Sequence, residues 1–296
     1  MTALPRHIIE DILKTIKNLR ISNTPESYIS IKNTFKLFSI PVPIITIPAG
    51  RIFYRIRIHE EMENNVMYKR IQNVSHRVDR NGIKKFGRAN EPFQSIFYCS
   101  DERETAFCET SKLVRENDKK EIEDNSLSIW RTKREINVAT LPKDKDFFGN
   151  KTVESLNKDF NNLFKQFNNE DSTNLQYFLY RIAEEFSEHS SAENFNYLIT
   201  CAFANYIYET PMTPLNKQNK VEIDGICYPS VHWKSKGMNF ALKPELIEKR
   251  DIELVKIVYN KMQLFPNKTY FPTTESISRK IDYENWKIIW DKMNED

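Results

Sequence analysis

The sequence predicts an α+β protein on three observations. Two amphipathic helical patterns open the chain. At Pro41, Pro43 and Pro48 the apolar period changes from 3.6 to 2. Beyond those prolines, stretches patterned as strands and stretches striped as helices follow one another to the end of the chain.

The first helical pattern covers residues 5–20, with Ile8, Ile9, Ile12, Leu13, Ile16 and Leu19 at the helical period and Pro5 suited to a first turn. A second helix is predicted from about Glu26 to Phe38, with Tyr28, Ile31, Phe35 and Phe38 apolar. Together they read as an N-terminal helical hairpin, either a docking surface or a cover for the core that follows. The prolines mark the best boundary, separating a helical accessory region, 1–48, from a main domain, 49–296.

Residues 51–58 alternate, with Ile52, Tyr54, Ile56 and Ile58 on one strand face and Arg51, Phe53, Arg55 and Arg57 on the other. Such an arginine-bearing face meets either water or an anion, and a strand holds the planar guanidinium still for a phosphate. Residues 60–85 are polar and without period, and read as a loop beside the site. His59 and His76, in and next to it, are given no role.

The stretch from Phe86 to Thr110 organises the rest. A tight turn at Gly87–Asn90 is followed by a short buried strand, Ser95–Cys99, and then by a helix. Asp101 is expected to cap that helix, with Glu104 at the capping-box spacing. Ala106 and Phe107 can face the core, and the strand-to-helix turn can bring Arg88 and Glu109 together. An Arg and a Glu on one rigid strand and helix can grip a polar, anionic small molecule.

Further on, Glu116–Asn125 reads as a charged turn and Leu127–Val138 as a strand or hairpin. Helices are predicted over 152–168, 172–188 and 192–208, the last apolar on most sides and therefore buried. Val221–Leu242 returns to strands: Asp224-Gly225 turns, Ile226–Tyr228 extends, Pro229-Ser230 ends that strand and Gly237 opens the next. Ser230 thus sits at the tip of a core strand, where its hydroxyl either meets a ligand or caps a turn. A strand over 253–265 and a short C-terminal helix carrying Trp286 and Trp290 complete the expected order.

Composition narrows the function. At 296 residues the chain can bury a substantial core, and 44 basic against 41 acidic residues leave a net charge of +3, too balanced to ask for nucleic acid. Cys99, Cys108, Cys201 and Cys227 form no CxxC pair and lie in apolar surroundings, which points away from zinc and towards free thiols in a reducing cytoplasm. No signal peptide and no apolar run of membrane-spanning length is present. P-loop, GxGxxG, HExxH, GxSxG and EF-hand patterns are all missing.

Three blocks carry a resemblance: YRIR at Tyr54–Arg57, GRAN through FYCSDERETAFCE at Gly87–Glu109, and DGICYPS with GMNFAL at Asp224–Leu242. In that order they resemble the RES domain family, with about ten residues from Arg88 to Tyr98 and about ten more to Glu109. The resemblance covers roughly Arg51–Leu242. It implies an ADP-ribosyltransferase-like fold, a split mixed sheet with surrounding helices around an NAD cleft. It also implies an NAD-degrading enzyme that breaks the nicotinamide–ribose bond with phosphate or water as acceptor. Many such enzymes are toxins of bacterial toxin–antitoxin pairs whose antitoxin carries an Xre-type helix-turn-helix, and a partner that blocks the cleft is expected here.

Carried over residue by residue, the resemblance assigns catalysis to Arg55, Glu109 and Ser230, and NAD binding to Arg88, Tyr98, Arg57 and Asn239. NAD is then substrate and no metal is required. The chemistry suits these residue types. Glycosidic cleavage builds positive charge on the sugar, which Glu109 can stabilise. Arg55 and Arg88 can meet the pyrophosphate, Tyr98 can stack on nicotinamide, and Ser230 can bond the ribose or position the acceptor. A mono-ADP-ribosyltransferase acting on a protein, and a non-catalytic binding module, are the competing readings. A homodimer stays open, membrane and nucleic-acid partners are not expected, and a cytoplasmic location is the default.

Overall fold

Apolar stripes at the helical period produce α1 (Arg6–Ser22) and α2 (Pro25–Phe38) close to where their periods predict them. In the computed structural model, described over residues 5–22, 24–38, 40, 42–59, 67–111, 113–114, 122–141, 158, 161–162, 164–165, 169–188, 197–212, 219–230, 237–264 and 270–291, they lead into a large mixed sheet. The strands are β1 (Ile44–Ile47), β2 (Ile52–Ile58), β3 (Phe97–Ser100), β4 (Ile122–Thr132), β5 (Ile136–Thr140), β6 (Gly225–Pro229), β7 (Met238–Leu242), β8 (Ile252–Leu264) and β9 (Tyr270–Ser278). The remaining helices are α3 (Arg103–Thr110), α4 (Asn169–Ser187), α5 (Leu198–Glu209) and α6 (Glu245–Glu248). The chain is α+β, as its sequence predicts.

Strand order across the sheet is β1-β5-β6-β7-β3-β2-β4-β8-β9, with β5 and β6 parallel and every other neighbour antiparallel. One join differs from the rest. β2 pairs with β4 over seven registered residues, yet it meets β3 only at Tyr54 opposite Ser100. Past that pair β2 and β3 diverge, so the sheet forks at its centre.

Three apolar clusters hold the layers. On one face of the β1–β3 half, Phe35 of α2 packs edge-on against Phe203 of α5 (5.2 Å between centroids) and Phe178 of α4 (6.3 Å). The N-terminal helical pair therefore shares its core with α4 and α5, and every residue from Leu198 to Ile207 is buried. The opposite face is packed by Phe53, Phe97, Trp130 and Phe240, all at most 1% exposed. A smaller cluster places Ala106 and Phe107 of α3 over Ile56, Leu127 and Val258.

Several sequence expectations are corrected. β4 and β5 do not form a hairpin: β4 lies between β2 and β8, and β5 lies between β1 and β6, in opposite halves of the sheet. Asp101 does not cap α3. The cap position is Glu102 without a side-chain bond, and the Asp101 carboxylate instead accepts from the Met238 amide at 2.9 Å. The C-terminal segment is a hairpin of β10 (Lys280–Asp282) and β11 (Lys287–Ile289) rather than a helix. Asp282 accepts from the amides of Glu284 and Asn285 to close the turn, and Trp290 Nε1 donates to the Tyr68 carbonyl at 2.8 Å. Side-chain bonds to the backbone thus win over helical spacing. Most of the helix expected over 152–168, and residues 60–66 of the expected loop, lie outside the described residues; Phe164 packs into the first cluster.

Candidate active site

The fork between β2 and β3 opens into a cavity of about 230 Å³. Its walls come from β2, β3, α3, β7 and the Gly87–Asn90 turn, and they include Arg55, Arg88, Tyr98, Glu109 and Asn239. Residues far apart in sequence meet here because β3 is flanked by β7 on one side and by the fork on the other.

Arg55 occupies the fork. Its Nη1 donates to the Tyr98 carbonyl at 2.6 Å, bridging from β2 to the backbone of β3 where the ladder has ended. Its Cζ lies 5.7 Å from the Phe97 ring, and its Nε is buried without a hydrogen-bond partner. Among the described residues no carboxylate lies within ion-pair distance of it. Burial first, and the charge of Arg57 second, push its pKa down to about 10, so the guanidinium is still charged at neutral pH. A half-buried cation whose buried Nε has an unused donor, and which among the described residues has no counter-charge, lines this cavity in a way that could hold an anion.

The turn beside it is braced by a tyrosine. The Tyr98 hydroxyl accepts from the Ala89 amide at 2.9 Å and donates to Asn90 Oδ1 at 2.9 Å, while the Gly87 amide donates to the Asn90 carbonyl at 2.8 Å. A Cβ at Gly87 would lie 2.2 Å from Asn90 Oδ1, so only glycine fits. Burial drives the Tyr98 pKa upward, and the hydroxyl stays neutral. Arg88, carried on this turn, donates to the Phe186 carbonyl and, at 3.4–3.5 Å, to the Glu188 carbonyl. It satisfies the C-terminal end of α4 while facing the cavity, the favourable end of the helix for a cation.

On the far wall, Ser230 Oγ donates to Glu109 Oε1 at 2.5 Å. Ser230 is fully buried and does not line the cavity; it stands behind the glutamate. Ser100 Oγ donates to Asn239 Oδ1 at 2.8 Å, so what Asn239 can offer a ligand is its Nδ2 donor. Arg57 points elsewhere, 6.0 Å from the Tyr68 ring, and is not part of the lining.

Five of the sequence-selected residues therefore face one space, Ser230 backs one of them, and Arg57 stays outside. Tyr54, Tyr197 and Tyr228 also line the cavity and were not selected. Tyr54 and Tyr228 stand inside the motif blocks, but their periodicity marks them only as strand residues. Among the described residues no group of His, Cys, Asp and Glu is arranged to hold a metal ion, and no helix is long and apolar enough to cross a membrane.

Neither a curated protein nor a solved structure is similar enough to match. A family model does: that of the RES domain, over residues 53–256. The matched span begins within β2, ends within β8 and takes in every wall of the cavity as well as Ser230, and with well over half of its length matched the chain belongs to the RES domain family.

Proposed function

We propose that this protein degrades NAD by cleaving the nicotinamide–ribose bond, with phosphate or water as acceptor, and that it is the toxin of a toxin–antitoxin pair. The RES family is associated with NAD-related toxin function, and the match over residues 53–256 supports the general theme. The observation that carries the reading is that Arg55, whose buried Nε has no partner and which has no counter-charge among the described residues, shares one cavity with Glu109. The fork between β2 and β3 supports reading the sheet as the split sheet of an ADP-ribosyltransferase-like fold.

In this reading the bond electrons leave with nicotinamide, which departs as a neutral base. Positive charge grows on the ribose, and the Glu109 carboxylate stabilises it. An oxygen of phosphate or water then bonds to the anomeric carbon and releases its proton. Arg55 and Arg88 hold the pyrophosphate, and the tyrosines offer flat faces to the leaving ring. Ser230 acts through Glu109, fixing the carboxylate by the 2.5 Å hydrogen bond. The cavity of about 230 Å³ is smaller than the roughly 300–1,000 Å³ of drug-sized ligand sites, so it suits the nicotinamide–ribose end with the adjoining pyrophosphate rather than the whole dinucleotide.

Incubation of the purified protein with NAD, with and without inorganic phosphate, tests the reading by product identity. ADP-ribose-1″-phosphate or free ADP-ribose, together with nicotinamide, is the expected outcome. Label transferred to protein would replace the acceptor by a polypeptide, and NAD left intact would reject the function. A helix-turn-helix partner that stops turnover when added would support the toxin role.

A further inference from the structure

We infer that Gly237 is a positioning residue for Glu109: the missing side chain at the start of β7 lets α3 settle on the β6–β7 hairpin and seats the glutamate on Ser230. The inference rests on reading Glu109 as the group that acts on NAD, and it assigns a task to a residue outside the cavity lining.

Gly237 is not required by backbone conformation, because its φ lies outside the left-handed region. It is required by space. An ideal Cβ there would lie 1.8 Å from Thr105 Oγ1, 2.9 Å from Thr105 Cβ and 3.0 Å from Thr105 Cγ2. Thr105 cannot swing away freely, being 0% exposed. Its hydroxyl has no hydrogen-bond partner, although a helical threonine ordinarily bonds a carbonyl one turn back. An unpaired hydroxyl pressed against a glycine marks an approach closer than either residue needs for its own sake.

The same seam carries the acid. Thr105 and Glu109 are four residues apart on α3 and so share a face. Across from them, the Ser230 amide donates to the Gly237 carbonyl at 2.9 Å, just beyond the last registered pair of the hairpin, Pro229 opposite Met238. Gly237 against Thr105 and Ser230 against Glu109 are therefore neighbouring contacts on successive turns of one helix. The N-terminal approach of α3 is tied to the same strand, with the Asp101 amide donating to the Met238 carbonyl (3.1 Å) and the Met238 amide to Asp101 Oδ1 (2.9 Å). A side chain at Gly237 would thus pivot α3 about that tie and displace Glu109, the residue further along.

Gly237→Ala tests this. The prediction is a fall in kcat for NAD of about tenfold to a hundredfold, the cost of misplacing a reacting group by roughly 1 Å. KM should stay within about twofold, because Arg55 and Arg88 stand on β2 and the Gly87–Asn90 turn rather than on α3. Thr105→Ala added to that variant removes the atoms at 1.8 and 3.0 Å but keeps Cβ at 2.9 Å, so it should restore part of kcat. Thr105→Val, which thickens the same seam and removes the unpaired hydroxyl, should lower kcat by less and serves if Gly237→Ala does not fold. Crystal structures give a readout independent of turnover: the Ser230–Glu109 contact should open past 3.5 Å in Gly237→Ala and shorten again, in part, in the double variant. Unchanged kcat in both Gly237→Ala and Thr105→Val, or an unchanged contact in the Gly237→Ala crystal, would overturn the inference. Absence of NAD turnover in the parent protein would sink the function, while the crystal structures would still decide the seam.

Discussion

Arg55 donates a 2.6 Å hydrogen bond to the carbonyl of Tyr98 across the point where β2 and β3 part company. That bond holds a charged side chain at the fork, and among the described residues no carboxylate gives it a counter-charge. The protein carries a partly desolvated cation there, a cost that an arriving anion would offset. If Arg55 serves a ligand rather than the fold, its removal should have an unusual effect.

Arg55→Met should cost little stability. It removes a half-buried charge and one hydrogen bond and leaves a side chain of similar length, so the free energy of unfolding should change by no more than about 1 kcal/mol, in either direction. NAD consumption should fall at least about a hundredfold in the same variant, since a charge-assisted contact is gone. Urea unfolding beside steady-state kinetics checks both halves; a large loss of stability would show that Arg55 serves the fold.

Glu109→Gln keeps shape, and it keeps an acceptor for the Ser230 hydroxyl. Melting temperature should therefore be unaffected. Turnover of NAD should drop by about 10²–10³-fold, the scale expected when one stabilising group is lost from a transition state. Full activity would remove the glutamate from the mechanism.

The turn that carries Arg88 has no room for a methyl group. A Cβ at Gly87 meets Asn90 Oδ1 at 2.2 Å, and that oxygen is already held by the Tyr98 hydroxyl. Gly87→Ala should destabilise the protein by about 1–3 kcal/mol, the usual cost of overpacking. It should also raise KM for NAD more than it lowers kcat, because the displaced group binds rather than reacts. Thermal melts and a kcat and KM determination would settle it.

His76 gives the acid side of the stability curve. It is 6% exposed, and its Nε2 lies 3.6 Å from Glu248 Oε1. Burial pushes its pKa below the ordinary histidine value; Glu248 and Glu245 oppose the shift, while Arg55 and Arg80 add to it. The unfolded chain therefore binds the proton more readily. The contribution of neutral His76 is complete above the unfolded pKa of about 6.5 and is lost as pH falls below it. His76→Gln should flatten the acid limb of stability against pH, measured by urea midpoints from about pH 5 to 8. A curve of unchanged slope would refute this.

Much of the local architecture was legible. The stripes of α1, α2, α4 and α5, and the strands β2, β3 and β6–β8, appear where their periods place them to within a few residues. The burial of all four cysteines was readable from their apolar neighbours. His59 and His76 were not, since polar loop sequence looks solvated; in the fold His59 pairs with Ser126 at 2.8 Å and stacks near Tyr68. The C-terminal hairpin was missed because the spacing of Trp286 and Trp290 satisfies a helix, while the turn set by Asp282 and the bond from Trp290 to Tyr68 depend on partners elsewhere.

By itself the sequence determined most of the helices and strands, which residue types could grip an anion and a growing cation, and the family that combines them. Periodicity can do this because it reports the face a residue turns towards its neighbours within one element. Only the tertiary structure decided that β2 and β3 part after a single pair, that Arg55 fills the gap, that Ser230 stands behind Glu109 and that Arg57 faces away. Those facts depend on which distant strands pair and how closely α3 approaches the hairpin. Long-range pairing and close packing set them, and neither leaves a local period in the chain.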